Sequence, residues 1–292
     1  RFHNCGEEEM VKDVIVVDPV KLDGLKRGIQ IQGASRFHVI SDFDRTITYG
    51  LIGGKRTATV ISQLRSDPKY LGVEYKREAE RLFDIYHPIE VDSGTPLNVK
   101  VKKMHEWWTK HFDLIAKAGF TKELIERVVR EKPLKFRKGS LEFFSFLNER
   151  GIPLVFMSAA PGDMLVGYLE QNNLLFPNVY VISNRYEFDE NGKAIRIKEP
   201  IIHTFNKTEV SLKDHPIYAK IRKRKNVLLL GDSLGDVGMI EGFDYDNLIK
   251  IGFYNDSEEG GLEDYKRNFD VVLIGDQDFD YINKLVESLR LK

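Results

Sequence analysis

The sequence predicts an α/β fold: a doubly wound, Rossmann-like parallel sheet with an inserted helical cap. Short apolar runs alternate with helical patterns along most of the chain, which is typical of a parallel sheet covered by helices on both faces. Residues 50–135 break this alternation because they contain helical patterns and no convincing parallel strand. The 292 residues are enough for an α/β core and a smaller second domain.

Six runs are predicted to be strands because they are short and almost wholly apolar. They are residues 38–42, 153–158, 178–183, 226–231, 247–252 and 270–274. Helices are predicted between and after them, at 139–150, 161–173 and 277–291. The segment YEFDENGKAIRIK is predicted to form a hairpin, since its Asn191-Gly192 pair favours a type I′ turn.

These elements divide the chain into three predicted parts. Residues 1–35 are expected to form an N-terminal arm packed on the core. The α/β core is expected to comprise residues 36–49 and 136–292, and residues 50–135 are expected to form the helical cap. An insertion between the first two strands of the core would place the cap beside the strand ends.

The composition excludes some classes of partner. The net charge is −1 and no large basic block is present, so binding to a nucleic acid polymer is not expected. The longest apolar runs are far shorter than the ~20 residues of a membrane span, so no membrane association is expected. A single cysteine excludes an intrachain disulfide. A cytoplasmic monomer is the expectation that fits these features.

Polar side chains follow three of the predicted strands, at the edge of the sheet where ligands bind in α/β folds. Asp42 and Asp44 follow the first strand, Ser158 follows the second, and Asp232 and Asp236 follow strand 226–231. Lys207 precedes that last strand. Because two neighbouring carboxylates repel each other, their presence predicts a metal ion between them, and oxygen ligands suit Mg²⁺.

The same residue types suit phosphoryl transfer. A carboxylate can attack phosphorus to form an aspartyl phosphate, which divides one difficult hydrolysis into two easier steps. The Lys207 ammonium and the Ser158 hydroxyl can hold the phosphate oxygens. Asp44 can protonate the leaving oxygen and then deprotonate water, if its carboxylate neighbour raises its pKa.

The motifs DFDRT, a serine after an apolar strand, a lysine and GDSLGD, in this order, resemble those of the haloacid dehalogenase phosphatase superfamily. A more specific resemblance is to the cytosolic 5′-nucleotidase III family. It is carried by VISDFDRTIT, HPIEVD, HEWWTK, FMSAAPGDM, HTFNKTE, LLLGDSLGD and IKIGFYND, and it extends from about residue 36 to the C-terminus.

The resemblance implies that Asp42 is the nucleophile and Asp44 the general acid and base. It further implies that Mg²⁺ is held by the side chains of Asp42 and Asp232 and by the main-chain oxygen of Asp44. The phosphate would be held by Ser158, Lys207 and the main chain at Ala159, with Thr46 and Asp236 in supporting positions. The substrate would be a nucleoside 5′-monophosphate of the CMP, UMP or 7-methyl-GMP type.

The resemblance also gives candidates for contacts to the nucleotide. Glu90 matches the glutamate that contacts the base in that family. One of Trp107 and Trp108 is expected to flank the nucleotide and the other to pack inside the cap. His111 is a further candidate, and it stands where pyrimidine-preferring members have a serine, while Ile61 stands where an aromatic residue often stacks on the base. Both differences weaken the prediction of a pyrimidine preference.

Other functions remain open at this point. The protein could be a phosphatase for another small monoester such as phosphoserine, although the segments around Glu90 and Trp107 argue against this. It could bind nucleotides without catalysis, although such a protein would usually have lost one of the three key aspartates. It could also transfer the phosphoryl group to a nucleoside instead of to water.

Overall fold

The computed structural model describes residues 13–207, 213, 215–255 and 260–291. The strands are β1 (Val14–Val16), β2 (Phe37–Ser41), β3 (Leu51–Ile52), β4 (Lys55–Arg56), β5 (Leu154–Pro161), β6 (Val179–Asn184), β7 (Tyr186–Phe188), β8 (Ala194–Ile197), β9 (Asn226–Gly231), β10 (Asn247–Tyr254) and β11 (Val271–Ile274). The helices are α1 (Pro19–Gln32), α2 (Ser62–Ser66), α3 (Gly72–Val91), α4 (Leu97–Lys117), α5 (Lys122–Glu131), α6 (Ser140–Glu149), α7 (Gly162–Gln171), α8 (Tyr218–Ile221), α9 (Leu262–Asn268) and α10 (Asp280–Ser288).

Seven strands form the central sheet, in the order β1-β11-β10-β9-β2-β5-β6. All neighbouring pairs are parallel except β1 and β11. The predicted α/β class and the six predicted strands are therefore confirmed. The sequence analysis did not find β1, because a three-residue strand leaves too short an apolar run to detect. Residues 1–12, at the start of the predicted arm, lie outside the described part of the chain.

Strand β2 is the point at which the order of the strands reverses. The chain continues from β2 to β5 on one side, and later returns to place β9 on the other side. In open α/β sheets the ligand crevice lies outside the carboxyl ends of the strands at such a point. Asp42 follows β2 directly, and its main-chain N–H donates to the carbonyl of Leu230 in β9 at 3.0 Å. The sheet thus brings the ends of β2 and β9 together.

Residues 50–135 contain helices α2 to α5 and also a short antiparallel hairpin of β3 and β4 that the sequence did not predict. Helix α4 buries Met104, Trp107 and His111, a spacing that puts all three on one face. This face packs against α3. No helix within the described residues is long and apolar enough to cross a membrane.

The hairpin of β7 and β8 forms as predicted, but it contacts the helical region and its turn differs from the prediction. The Tyr186 hydroxyl donates to the carbonyl of Phe112 in α4 at 3.0 Å. A type I′ turn needs positive φ at both central residues, whereas here Gly192 has a φ of +74° and Asn191 does not have a positive φ. The predicted turn type is therefore wrong. The Asp189 carboxylate accepts from the N–H groups of Asn191 and Lys193, which stabilises the alternative turn.

Candidate active site

Asp42 lies at the tip of β2 with only 5% of its surface exposed. Lys207 Nζ donates to Asp42 Oδ1 at 2.5 Å and to Asp236 Oδ1 at 3.2 Å. Burial alone would lower the pKa of Lys207, but attraction by Asp236 and Asp42 outweighs it and the pKa is raised. Lys207 is therefore a permanent cation at the floor of the site.

Three carboxylates converge beside this lysine. One oxygen from each of Asp42, Asp232 and Asp236 lies within 4.8 Å of the others. Burial, and then repulsion by Asp236, raise the pKa of Asp232 to about 7. Burial is also the largest cause of the raised pKa of Asp42. This acidic group could hold a metal, and its hard oxygen donors suit Mg²⁺ or Ca²⁺.

Asp236 is fixed by the turn that follows β9. Its Oδ2 accepts from the main-chain N–H groups of Asp232 and Ser233 at 3.1 and 3.0 Å, which caps the short 3₁₀ segment Leu234–Ile240. A Cβ on Gly231 would lie 2.5 Å from the Cβ of Asp236. The first glycine of GDSLGD is therefore needed for Asp236 to pack this closely against the end of β9. Thr46 adds a further contact, since its hydroxyl donates to Asp232 Oδ1 at 3.3 Å and lies 3.5 Å from Asp42 Oδ2.

Asp44 is not one of the three grouped carboxylates. Its Oδ1 accepts from the main-chain N–H of Val60 at 2.8 Å, at the start of the helical region. Burial raises the pKa of Asp44 to about 6, so its carboxyl group can hold or release a proton near neutral pH. The side chain lines the same cleft as Asp42.

Ser158 and Ala159 form the wall contributed by β5. Ser158 is buried, and its Oγ accepts from the N–H of Ala160 at 3.2 Å. The carbonyl of Ala159 accepts from Asn184 Nδ2 at 2.7 Å, which fixes the main chain there. Both residues line the cleft together with Lys207.

A buried arginine supports the DFDRT loop from below, and the sequence analysis did not identify it. Arg137 donates to the carbonyls of Thr46 at 2.8 Å and of Arg45 at 2.7 Å. It also pairs with Asp276 at 2.9 Å and donates to Asn255 Oδ1 at 2.9 Å. This side chain therefore joins the loop after β2 to loops that follow β10 and β11.

Arg45 was also missed as a site residue. It has a φ of +61°, a conformation that is uncommon outside glycine and that clusters at functional sites. One of its terminal nitrogens donates to the carbonyl of Thr57 at 3.0 Å, and the side chain lines the cleft. This hydrogen bond connects the DFDRT loop, which contains Asp42 and Asp44, to the segment that precedes α2.

The cleft has a volume of about 530 Å³, with the aspartates at one end and residues of α2 to α4 at the other. Glu90 lies at the end of α3, where its Oε1 accepts from the Thr204 hydroxyl at 2.6 Å. Ile61, Trp107, Trp108 and His111 also line the cleft. The structure therefore brings every site residue predicted from the sequence, apart from Thr46, to the surface of one cavity, with Thr46 directly beneath it.

The two tryptophans differ in their packing. Trp107 is 7% exposed and stacks on Tyr86, with 5.9 Å between the ring centroids and 9° between the planes. Trp108 is half-buried, with its ring 5.4 Å from that of Phe112. Neither indole N–H has a hydrogen-bond partner within the described part of the chain. Trp107 is therefore the more deeply buried of the two, and Trp108 is the more exposed.

His111 is a buried, uncharged residue. Its Nε2 lies 3.1 Å from the Tyr75 hydroxyl, and burial, followed by repulsion from Arg65, lowers its pKa to about 3. Arg65 and Phe83 also line this end of the cleft, and the sequence analysis identified neither. Both are only partly buried, so the apolar spacing that marks a buried helix face does not single them out.

Comparisons with known proteins agree with this geometry. The family model "Pyrimidine 5′-nucleotidase (UMPH-1)" matches residues 45–290. A 7-methylguanosine phosphate-specific 5′-nucleotidase A from Xenopus laevis is 36% identical over 276 residues, which cover 94% of this chain and 95% of that protein. The corresponding human 5′-nucleotidase is 34% identical over 281 residues, which cover 96% of this chain and 93% of the human protein.

A solved structure of a 5′-nucleotidase is also similar to this chain. A crystal structure of cytosolic 5′-nucleotidase IIIB bound to cytidine superposes with a TM-score of 0.87 and 31% identity, covering 96% of this chain and 95% of the other. A substrate-bound phosphoserine phosphatase shares the fold, with a TM-score of 0.55 and 17% identity over 86% of this chain and 97% of the other. The fold is thus that of phosphatases with the haloacid dehalogenase fold.

Proposed function

The chain belongs to the pyrimidine 5′-nucleotidase (UMPH-1) family, and we propose that it hydrolyses nucleoside 5′-monophosphates, with Mg²⁺, to nucleoside and phosphate. The observation that carries this proposal is the cleft itself, which joins the Asp42–Lys207 pair at one end to an aromatic wall at the other. Its volume of about 530 Å³ falls within the range of small-molecule sites. Phosphoserine would leave the aromatic end unfilled.

The first step of the proposed reaction forms an aspartyl phosphate. A carboxylate oxygen of Asp42 attacks phosphorus, and the bond from phosphorus to the nucleoside 5′-oxygen breaks. Asp44 supplies the proton that the leaving oxygen needs, which its raised pKa of about 6 favours. In the second step, Asp44 takes a proton from water, which attacks phosphorus and releases Asp42 and inorganic phosphate.

Positive and polar groups hold the phosphate during both steps. Lys207 and the Ser158 hydroxyl would contact its oxygens, together with the main chain at Ala159. Lys207 is already fixed between two carboxylates, so little reorganisation is needed when charge develops on the phosphate oxygens. The phosphate would compete with Asp42 and Asp236 for this ammonium group.

The acidic group fits a resident Mg²⁺ ion. The ion would be held by the side chains of Asp42 and Asp232 and the main-chain oxygen of Asp44, with Asp236 beside it. When bound, it offsets the negative charge of the phosphate and the carboxylates. The fit rests on the three carboxylate oxygens that lie within 4.8 Å of one another.

Residues 50–135 are proposed to act as the cap that holds the nucleoside. Trp108 would flank the base, while Trp107 supports the wall from inside the cap core. Glu90 would accept a hydrogen bond from the base, since only its Oε1 is used by Thr204. His111 is neutral at physiological pH and would contribute shape and a hydrogen bond, not charge.

Phosphate release from a panel of nucleoside monophosphates, with and without Mg²⁺, tests this function. CMP, UMP, 7-methyl-GMP, AMP and phosphoserine would be compared at equal concentration. Mg²⁺-dependent release from at least one nucleotide, well above release from phosphoserine, is expected. Mg²⁺ should also raise the melting temperature, and Asp232→Asn should reduce that shift. Release from phosphoserine alone would overturn the proposal.

A further inference from the structure

Arg65 is a cation in the wall of the cleft that helices α2 to α4 contribute. It lies in the last turn of α2, and the carbon of its guanidinium is 4.4 Å from the centre of the Phe83 ring. Phe83 in turn stacks with His87 at 4.4 Å and meets Trp107 edge-on at 6.0 Å. The arginine is therefore part of the aromatic surface that faces the nucleoside.

The guanidinium has no fixed partner for its N–H groups. Within the described residues, no carboxylate lies within ion-pair distance of it and it donates no hydrogen bond. Glu80 and Asp84 attract it only at longer range. A guanidinium has five N–H donors in a planar fork, and leaving them unused in a half-buried position is costly unless water or a ligand accepts them.

The charge of Arg65 acts on the helical end of the site and not on the aspartates. Burial is the larger cause of the lowered pKa of His111, and the positive charge of Arg65 is the second cause. The cations that act on Asp232 are Arg45, Lys207 and Arg137, and those that act on Asp44 are Arg45 and Lys207. Arg65 thus affects His111 and is not among the cations that shift the pKa values of Asp232 and Asp44.

Resting on the proposed function, we propose that Arg65 determines base specificity, by donating to a carbonyl of a neutral base and by repelling a cationic base such as 7-methylguanine. A neutral pyrimidine such as cytosine offers an amine to the Glu90 carboxylate and a carbonyl to the Arg65 fork. A base with a fixed positive charge would be attracted by Glu90 but repelled by Arg65, so Arg65 would weaken its binding. The protein should therefore favour pyrimidine nucleotides, unlike the relatives named for 7-methylguanosine phosphate.

Substitution of Arg65 tests this directly. In Arg65→Met, kcat/KM for CMP and UMP should fall about ten- to a hundredfold, mainly through KM, because a hydrogen bond to a charged group is lost. In the same variant, kcat/KM for 7-methyl-GMP should rise, because the charge that repels its cationic base is removed. Arg65→Lys keeps the charge without the fork, so CMP turnover should fall while 7-methyl-GMP turnover stays low.

Two controls make the result specific. Arg77→Met removes an exposed charge of α3 that lies outside the cleft and should leave the ratio of the CMP and 7-methyl-GMP rates unchanged. Hydrolysis of p-nitrophenyl phosphate, which has no base, should be the same in all variants and shows that the phosphate end is intact. Arg65→Gln serves as a second neutral variant if the Met variant fails to fold.

Two results would overturn the inference while leaving the proposed function in place. One is that kcat/KM for CMP and kcat/KM for 7-methyl-GMP both stay unchanged in the neutral variants. The other is an equal fall for both nucleotides. If the unsubstituted protein hydrolyses p-nitrophenyl phosphate but no nucleotide, the proposed function itself is wrong, and the inference fails with it.

Discussion

At the end of the cleft that holds Asp42, Asp232 and Asp236, here called the core end, the reactive side chains are already bound to one another. At the end lined by helices α2 to α4, the helical end, several polar groups have no hydrogen-bond partner within the described residues. Lys207 contacts both Asp42 and Asp236, and Asp236 accepts from two main-chain N–H groups. By contrast, the indole N–H groups of Trp107 and Trp108 have no acceptor within the described residues. The Arg65 guanidinium likewise donates no hydrogen bond there.

This difference corresponds to the two tasks of the proposed enzyme, which are stabilising the transition state and recognising the substrate. Groups that act on the transition state gain from being fixed in advance, since no reorganisation is then needed during the reaction. Groups that recognise a substrate must leave their hydrogen-bonding capacity for it. Changes at the core end should therefore alter kcat, and changes at the helical end should alter KM and specificity.

The largest expected effect is that of Asp42→Asn. An amide cannot form the phosphoenzyme, so turnover should fall by about 10⁴-fold or more, as for other nucleophiles, at every Mg²⁺ concentration. Phosphate release under saturating nucleotide measures this. Asp244→Asn, at an exposed position, is the matched control. Undiminished turnover in Asp42→Asn would exclude the covalent mechanism.

Asp44→Asn should have the second largest effect, a loss of about 10²–10⁴-fold that persists at saturating Mg²⁺. Asparagine keeps the shape and the main-chain oxygen but has no proton to give. The loss should be smaller with p-nitrophenyl phosphate, because its leaving group needs little protonation. Equal losses for both substrates would show that Asp44 is not the general acid.

At the helical end, Trp108→Ala should raise KM for nucleotides by about tenfold or more, since stacking is worth ~1–3 kcal/mol per base. Hydrolysis of p-nitrophenyl phosphate should not change. Trp107→Ala should instead lower the free energy of unfolding by about 3–5 kcal/mol, because this ring is buried against Tyr86. The opposite assignment of the two effects would contradict the packing described above.

The smallest predicted effect concerns stability, measured as the free energy of unfolding. His111 has a pKa of about 3 in the folded protein and about 6.5 when unfolded, so the unfolded chain binds more protons between these values. Stability should be unaffected above pH 6.5 and should decrease by about 2 kcal/mol at pH 5.

Denaturant titrations of the unsubstituted protein and of His111→Asn at pH 7.5 and 5 measure this effect. Arg65 and Tyr75, the ionisable groups that act on this histidine or bond to it, keep their charge states over that range. The unsubstituted protein should therefore lose more stability on acidification than the variant. The same loss in both would show that His111 is not the cause.

Much of the core end could be predicted from the sequence because parallel strands end at one edge of the sheet. Asp42, Ser158 and Asp232 each follow an apolar run, so their meeting required only the correct fold. Arg137 could not be found in this way, because nothing in the sequence marks one arginine as buried. Its partners come from loops that are far apart in the chain, such as Thr46 and Asp276.

The helical end was less predictable for a different reason. In residues 50–135 the apolar spacing marks the buried faces of the helices, but Arg65 and Phe83 are only partly buried, so neither stood out. The resemblance to a known family supplied Glu90 and the two tryptophans, but neither Arg65 nor Phe83 lies in the motifs that carry that resemblance. The turn type at Asn191-Gly192 was predicted wrongly because that prediction used these two residues alone. The turn also depends on Asp189, whose side chain accepts from two main-chain N–H groups.

The contacts of Asp276 have a consequence for synthesis of the protein. Its carboxylate accepts from the N–H groups of Gly50 and Leu51 at 2.7 and 2.9 Å and pairs with Arg137 beneath the DFDRT loop. During translation, this loop leaves the ribosome long before Asp276 does. A nascent chain that stops before the end of β11 therefore carries the nucleophile without the support that positions it. Chains that end before Asp276 should be inactive, and phosphatase activity should appear only after synthesis has passed this residue.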